Sequence, residues 1–210
     1  MLNLSPTICW GFFMPKIPQD YFLNDDVVFL SKDLLGKVLF TRFNGITTAG
    51  IITETEAYAG INDKASHAYR GRRTARNEVM YHKGGKAYVY LCYGLHHLFN
   101  IVTNVEGIPH AVLIRAIYPY IGIQEILNRR NAKTLSKILT VGPGKVSQAL
   151  GIHTQLNGTS LNGNKIWLEE HGIVFPVNKI NVGTRIGVEY AKEDALLPYR
   201  FWINHSDITI

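Results

Sequence analysis

Val38-Leu39-Phe40-Thr41-Arg42-Phe43, the pair Asn44-Gly45, and then Gly50-Ile51-Ile52-Thr53-Glu54-Thr55-Glu56-Ala57-Tyr58 are the residues from which the fold is read. Both runs are rich in β-branched and aromatic side chains, and Asn-Gly between two such runs is a strong hairpin signal. Working outward, a second hairpin is expected from Lys86–Tyr93 and Leu95–Val102, turning at Tyr93-Gly94. Further strands are expected at Ala111–Ile117, Ile166–Glu169, Arg185–Val188 and Arg200–Ile203. Apolar residues recur at helical spacing over Asp26–Lys37, with Gly36 as a stop. Ile123–Arg130 and Lys145–Leu150 read as two more helices, and the polar stretch from Asn62 to Asn77 as helical around Ala65–His67. The expected fold class is α+β: one domain over residues 19–210, with a curved, mainly antiparallel β-sheet surrounded by helices and a protruding β-hairpin. Residues 1–18 are expected to form a loose N-terminal tail, with Met14 as a second candidate start.

Composition sets the outer limits. The chain has 210 residues, 46% hydrophobic and 18% charged, which is enough for one substantial core and too ordered a mixture for a disordered protein. A formal net charge of +6 suits a polyanionic partner, although many small soluble proteins are basic without one. Cys9 and Cys92 are the two cysteines. With no CxxC, neither a zinc ribbon nor a disulfide framework is available, which suits a reducing cytoplasm. No apolar run reaches the length of a membrane span, so no membrane association is expected. Met1–Phe13 is apolar but lacks the basic start of a signal peptide.

The residues that carry chemistry lie between Ile52 and Asn100. Alternate strand residues share a face, so Glu54, Glu56 and Tyr58 point one way. A glutamate beside an aromatic ring either has its pKa raised by burial or stays ionised and holds a water; the same pattern also fits charges on a solvent-facing edge strand. His67 and the basic loop Arg70-Gly71-Arg72-Arg73-Thr74-Ala75-Arg76-Asn77 follow, then the tyrosine-rich Tyr88-Val89-Tyr90-Leu91-Cys92-Tyr93. Carboxylates, flat aromatic faces and clustered arginines fit a pocket that grips a flat, electron-poor ring beside a polyanion. A damaged nucleobase in DNA has both properties. Tyr93, at a hairpin tip, is placed to wedge between base pairs. His96 and His97 are adjacent on a strand, face opposite ways and cannot chelate together, and no metal-binding signature is present, so no metal or organic cofactor is expected. Gly142-Pro143-Gly144-Lys145 lacks the spacing of a P-loop; it is either a turn into a helix or a set of backbone N–H groups for a phosphate.

These residues together resemble the alkyladenine (3-methyladenine) DNA glycosylases of the mammalian type, which also occur in bacteria. The resemblance rests on Glu54-Thr55-Glu56-Ala57-Tyr58, His67, Arg76-Asn77 with Met80, Tyr88-Val89-Tyr90, Tyr93-Gly94 and Asn100. It continues through Leu113-Ile114-Arg115-Ala116, Gly142-Pro143-Gly144-Lys145, Gln148-Ala149-Leu150-Gly151, Arg185-Ile186-Gly187-Val188 and Pro198-Tyr199-Arg200-Phe201. It implies that Glu56 is the general base that activates water, with Arg115 near that water and the Ile186 carbonyl as a further acceptor for it. It implies that Tyr58, His67 and Tyr90 wall the site of a flipped base and that Asn100 crowds the exocyclic amine of normal guanine. Tyr93 is implied as the residue that fills the hole left in the duplex. Arg73, Arg76, Gly144 and Lys145 are candidates for the DNA backbone. His96 and His97 are not assigned a role by the resemblance.

The resemblance thus implies a monofunctional DNA glycosylase of base excision repair. It would act on double-stranded DNA containing damaged purines of the 3-methyladenine, 7-methylguanine, hypoxanthine or ethenoadenine type, as a cytoplasmic monomer (nucleoid-associated if bacterial). The alternative is a non-catalytic nucleic-acid damage-binding module, in which the tyrosines are stacking platforms and Glu56 has no chemical task. A sugar glycosidase using Glu54 and Glu56 as its pair is weaker, because two carboxylates on one strand lie on one side of a substrate rather than flanking it. A lyase would need a reactive lysine, and Lys83, Lys86 and Lys145 are not marked by the motif.

Overall fold

The computed structural model of the protein describes residues 15–204 and residue 208. Eight strands form one curled sheet: β1 (Val38–Phe43), β2 (Ile46–Tyr58), β3 (Ala87–Cys92), β4 (His96–Thr103), β5 (His110–Ile121), β6 (Ile166–Glu169), β7 (Asn181–Gly183) and β8 (Arg200–Trp202). Their order is β3-β4-β5-β2-β1-β6, with β8 between β2 and β7, and every pairing is antiparallel. The α+β, single-domain architecture read from the sequence is the one observed.

The 13-residue β2 organises the sheet. Along one edge it pairs with β5 for most of its length. Along the other it pairs first with β1, over residues 46–51, and then with β8, over residues 54–56. A strand shared between two partners on one edge has to bend between them, and the β2–β5 register shifts on both sides of Glu54. Bulges of this kind raise local twist and re-aim side chains, and they recur beside active sites. The principal core, with Phe22, Leu34, Leu39, Ile52, Phe99, Ile114, Ile117, Val146 and Leu150, lies under this bend.

Both hairpin turns form where the sequence placed them. Asn44 and Gly45 take φ of 51° and 79° and form a two-residue loop; Tyr93 and Gly94 take 50° and 70° and, with Leu95, form a three-residue loop between Cys92 and His96. The first helix, α1 (Val27–Asp33), is shorter than the expected Asp26–Lys37: Asp26 caps it, and the chain turns over Leu34 to Gly36, where φ is +92°. Helix α2 (Ile123–Arg129) matches its expectation, whereas α3 (Pro143–Leu150) starts two residues before Lys145. Proline at the first helical position donates no N–H and so leaves nothing unsatisfied there.

Three expectations are corrected. Residues 64–68 form turns rather than a helix, because the Asp63 side chain accepts from the Ala59 and Ala65 N–H groups and diverts the backbone from the helical ladder. Arg185–Val188 is a loop and not a strand: Arg185 is buried in an ion pair with Asp63, and Gly187 takes φ of +76°. The neighbouring strand is β7 instead. The tail boundary also moves, since Ile17 is buried with its N–H on Leu168 O at 2.9 Å and Lys16 Nζ donates to Gly163 O at 2.8 Å. The apolar opening Met1–Phe13 and the start at Met14 lie outside the described residues. No helix among the described residues is long and apolar enough to cross a membrane.

The Asp26 carboxylate accepts from Val28 N at 3.0 Å and Phe29 N at 2.8 Å. Asp26→Ala is therefore expected to lower stability by about 1 kcal/mol in urea unfolding with an unchanged m-value. An unaltered midpoint would show that α1 is held by its buried face alone.

Candidate active site

The bend in β2 opens onto a cleft of about 830 Å³. β2 contributes Tyr58 to its lining, the turn region His67 and Arg76, and the second hairpin Tyr90, Tyr93 and Asn100. β5 supplies Arg115, the start of α3 supplies Gly144 and Lys145, and the 184–188 loop supplies Ile186. The structure therefore gathers residues spread over 129 positions of sequence, from Tyr58 to Ile186, around one cavity.

Glu56 lies under the cleft, fully buried. Its Oε1 accepts from the Ile186 N–H at 2.8 Å and sits 3.3 Å from Arg115 Nη1; its Oε2 accepts from the Tyr58 hydroxyl at 2.9 Å. Burial raises the carboxyl's pKa above its ordinary value, opposed by the Arg115 charge, the Ile186 N–H and the Tyr58 hydroxyl, while Glu54 pushes the same way as burial. A carboxylate of this kind is a better base than one in water and is already oriented.

His67 Nδ1 hydrogen-bonds the Tyr88 hydroxyl at 2.8 Å, and its ring packs edge-on against Tyr90 with centroids 4.7 Å apart. Burial, with Arg76 and Arg72 nearby, lowers its pKa to about 4, so the imidazole is neutral at physiological pH. The Asn100 amide nitrogen donates to Tyr88 O at 3.1 Å, which fixes a buried side chain at the cleft wall. Arg76 stacks over the Tyr90 ring at 5.1 Å and donates to Leu91 O. Tyr93 stands at the rim with 90% of its surface exposed.

Two assignments fit less directly. Arg73 is outside the cleft lining, bound through Nε and Nη2 to Glu78 at 2.9 and 2.6 Å and stacked over Tyr81. Lys145 Nζ donates to Ile138 O at 3.2 Å. His96 lines the cleft beside Gly144, where a Cβ would come within 3.1 Å of the imidazole, while His97 turns toward His153 with ring centroids 6.4 Å apart. Among the described residues no three His, Cys, Asp or Glu side chains converge as metal ligands.

Sequence reasoning missed the supports of the site. Arg185 grips both Asp63 oxygens, at 2.5 and 2.9 Å, and donates to Ala57 O and Asp194 O. That clamp sets the loop from which the Ile186 N–H reaches Glu56. Glu54 also joins Arg115, at 3.0 Å, so both carboxylates of the proposed sugar-glycosidase pair share one guanidinium and cannot flank a substrate. Tyr190 lines the cleft from the far side, its hydroxyl on Ala65 O at 3.0 Å. A glutamate two residues before Glu56 and an arginine one residue before Ile186 carry no local pattern that marks such supporting contacts.

A sequence model of the methylpurine-DNA glycosylase family matches residues 21–207. The chain belongs to that family. It is 49% identical over 189 residues to a protein of Chlamydia felis (strain Fe/C-56), with 90% of this chain and 96% of that one covered. It is 46% identical to a Chlamydia pneumoniae protein (91% and 96% covered) and 45% identical to one from Bacillus cereus (strain AH820; 86% and 92% covered). All three carry the name "Putative 3-methyladenine DNA glycosylase". Membership of the methylpurine-DNA glycosylase family makes the chain a hydrolytic, monofunctional DNA N-glycosylase of base excision repair, with DNA as its partner, and sets aside the non-catalytic reading.

The raised Glu56 pKa has a thermodynamic sign. Between the unfolded value, near 4.5, and the higher folded value, the native state holds more protons than the unfolded state, so stability falls as pH rises through that window and stays reduced above it. Glu56→Gln removes this cost while Arg115 keeps Glu54. The variant is expected to melt above wild type at pH well above the window, with the gap closing as pH falls toward 4.5. A gap independent of pH would mean that the carboxyl's proton affinity is not raised by the fold.

Proposed function

We propose that this methylpurine-DNA glycosylase extrudes alkylated or deaminated purines (3-methyladenine, 7-methylguanine, hypoxanthine and ethenoadenine type) from duplex DNA and hydrolyses their N-glycosidic bond. The observation that carries the proposal is the buried, triply held Glu56 beneath an aromatic cleft. Glu56 takes a proton from water, with Arg115 and the Ile186 carbonyl holding that water. The water oxygen bonds to the sugar C1′, the bond from C1′ to the purine nitrogen breaks, and its electron pair leaves with the base. The product is an abasic site.

A purine alkylated on N3 or N7 is cationic and leaves as a neutral base, so it needs little help from an acid. Holding it over the π faces of Tyr58 and Tyr90 contributes about 0.5–2 kcal/mol each. His67 is suited to the same wall because it is neutral; an imidazolium would repel a cationic base. Asn100, held to the Tyr88 carbonyl, is rigid enough to reject the exocyclic amine of guanine by contact. Extrusion costs a few kcal/mol, least for a damaged or mispaired base, which adds selectivity before chemistry starts. Tyr93 fills the vacated stack.

Arg76, Gly144 and Lys145 are the DNA-backbone contacts in this reading, because they line the cleft. Arg73 is assigned there only if it leaves Glu78, an exposed pair that holds little energy. The enzyme works as a monomer in the cytoplasm, with the chromosome.

Single-turnover base release from duplexes with one ethenoadenine or hypoxanthine, and from methylated DNA, tests the reading. Glu56→Gln should lose roughly 10²–10⁴-fold in rate and keep DNA binding. Base release at the wild-type rate would remove Glu56 from the chemistry. Tyr93→Ala should slow release from duplex by roughly tenfold or more, with little effect on a single-stranded substrate, where no stack is broken. Equal losses on both substrates would contradict the wedge.

A further inference from the structure

Glu54 stands two residues before Glu56 on β2, is 8% exposed and does not line the cleft. Its Oε1 accepts from Arg115 Nε at 3.0 Å and from Arg200 Nη1 at 3.2 Å. Arg200 is fixed in turn by its Nε on Thr184 O at 2.9 Å and by stacking over Trp202 at 4.3 Å. Arg115 thus meets two carboxylates with different edges, Nε on Glu54 and Nη1 on Glu56. The β2–β5 register shifts on each side of Glu54, beside the point where both side chains meet one guanidinium.

We propose that Glu54 is a positioning residue of the glycosylase: it anchors Arg115 by its Nε edge and restrains that arginine from neutralising Glu56. This rests on the assignment of Glu56 as the base. A guanidinium left with Glu56 alone would close into a two-point pair, which favours the ionised carboxylate and makes it a poorer proton acceptor. By engaging Arg115 first, Glu54 splits the attraction, and its own negative charge adds to the proton affinity of its neighbour. The groups that face Glu56 are Tyr58 and Glu54 on β2, Arg115 on β5, the Ile186 N–H of the 184–188 loop and Tyr190 just beyond it; Arg185 stacks over Tyr58 at 5.0 Å, and Arg200 faces Glu54 from β8. The direction of the Glu56 shift agrees, with Glu54 adding to it and Arg115 opposing it.

A second, smaller pocket of about 300 Å³, lined by Glu54, Ala116, Lys137, Val141, Trp202 and Ile203 among others, opens on the Glu54 side chain from outside the cleft. A small carboxylate can therefore approach this position without passing through the DNA site.

The experiment is single-turnover base release from about pH 5 to about pH 9 with saturating enzyme, normalised to active sites, for wild type, Glu54→Gln, Glu54→Ala and Glu56→Gln. Glu54→Gln keeps an acceptor for Arg115 and so preserves the fold. Its plateau rate should fall on the order of tenfold. Its acid limb should move to lower pH by about one unit, because the base has become weaker. Formate should restore part of the Glu54→Ala rate and none of the Glu56→Gln rate. A Glu54→Gln profile that keeps the wild-type acid limb, with no formate rescue of Glu54→Ala, would overturn the proposal and leave Glu54 as a counter-ion for Arg115 and Arg200. Base release by Glu56→Gln at the wild-type rate would instead refute the assignment of the base itself.

Discussion

The Glu56 carboxylate is held by the Ile186 N–H, the Tyr58 hydroxyl and the Arg115 guanidinium, and each donor comes from a different part of the chain. A buried carboxylate without such donors would simply stay protonated, since transferring the charge from water costs far more than a fold can spare. The donors in turn need fixed backbones. Ile186 is delivered by a loop that Arg185 ties to Asp63, and Asp63 also shapes the turn from Ala59 to Ala65 that leads to His67. Glu56, the loop above it and the segment leading to His67 therefore share a single ion pair. Loss of Asp63 would disturb all three, which is why such a residue can govern a site that it does not line.

Around this centre, positive charge is arranged in two layers. Arg115, Arg185 and Arg200 are committed to carboxylates inside the protein. Arg76, Arg130 and Lys145 line the cleft, where a phosphate backbone would lie. In the proposed reading the second layer meets the phosphates and would set the salt dependence of binding, while the ion pairs of the first, being largely buried, are screened less. DNA laid over the cleft would exclude water from Tyr58 and Arg115 as well. That strengthens the Glu56–Arg115 attraction and raises the desolvation of the carboxylate at the same time, so the bound state sharpens the competition that Glu54 moderates.

The fold was legible wherever a local rule decided it. Asn44-Gly45 and Tyr93-Gly94 marked their turns because tight hairpin loops call for left-handed backbone at such positions, and the β-rich runs beside them had no competing preference. Legibility failed where a distant partner overrode the local pattern. Ala65–His67 has helix-forming residues but is held in turns by Asp63, and Arg185–Val188 reads as a strand but is pinned by the same carboxylate. The two failures have one cause, an ion pair between residues 122 positions apart, which no window of sequence contains. The resemblance supplied the candidate site residues as a set, and most of them line one cleft, with Glu56 beneath it and Arg73 outside it. What neither source supplied was the set of contacts behind them, in which Glu54 and Asp63 bind the Arg115, Arg200 and Arg185 side chains.

Tyr93 shows how the free protein carries a cost that the complex can return. The tip position favours asparagine, aspartate or glycine, and a tyrosine at φ of +50° gives up about 1–2 kcal/mol of backbone energy. Its ring is also 90% exposed, so it forgoes the roughly 1.5–3 kcal/mol that burying a large side chain supplies. Neither sacrifice helps the fold, and a smaller residue at the tip would be more stable. Inside a base stack the second term would be recovered, and the tight three-residue loop, with the Leu95 N–H on Cys92 O at 3.1 Å, means that little further ordering is needed to present the ring. In the proposed role, a wedge preformed on a tight hairpin would meet the cost of opening a duplex with apolar surface already withheld from the protein's own core, which is the arrangement expected where recognition depends on how easily a base leaves its stack.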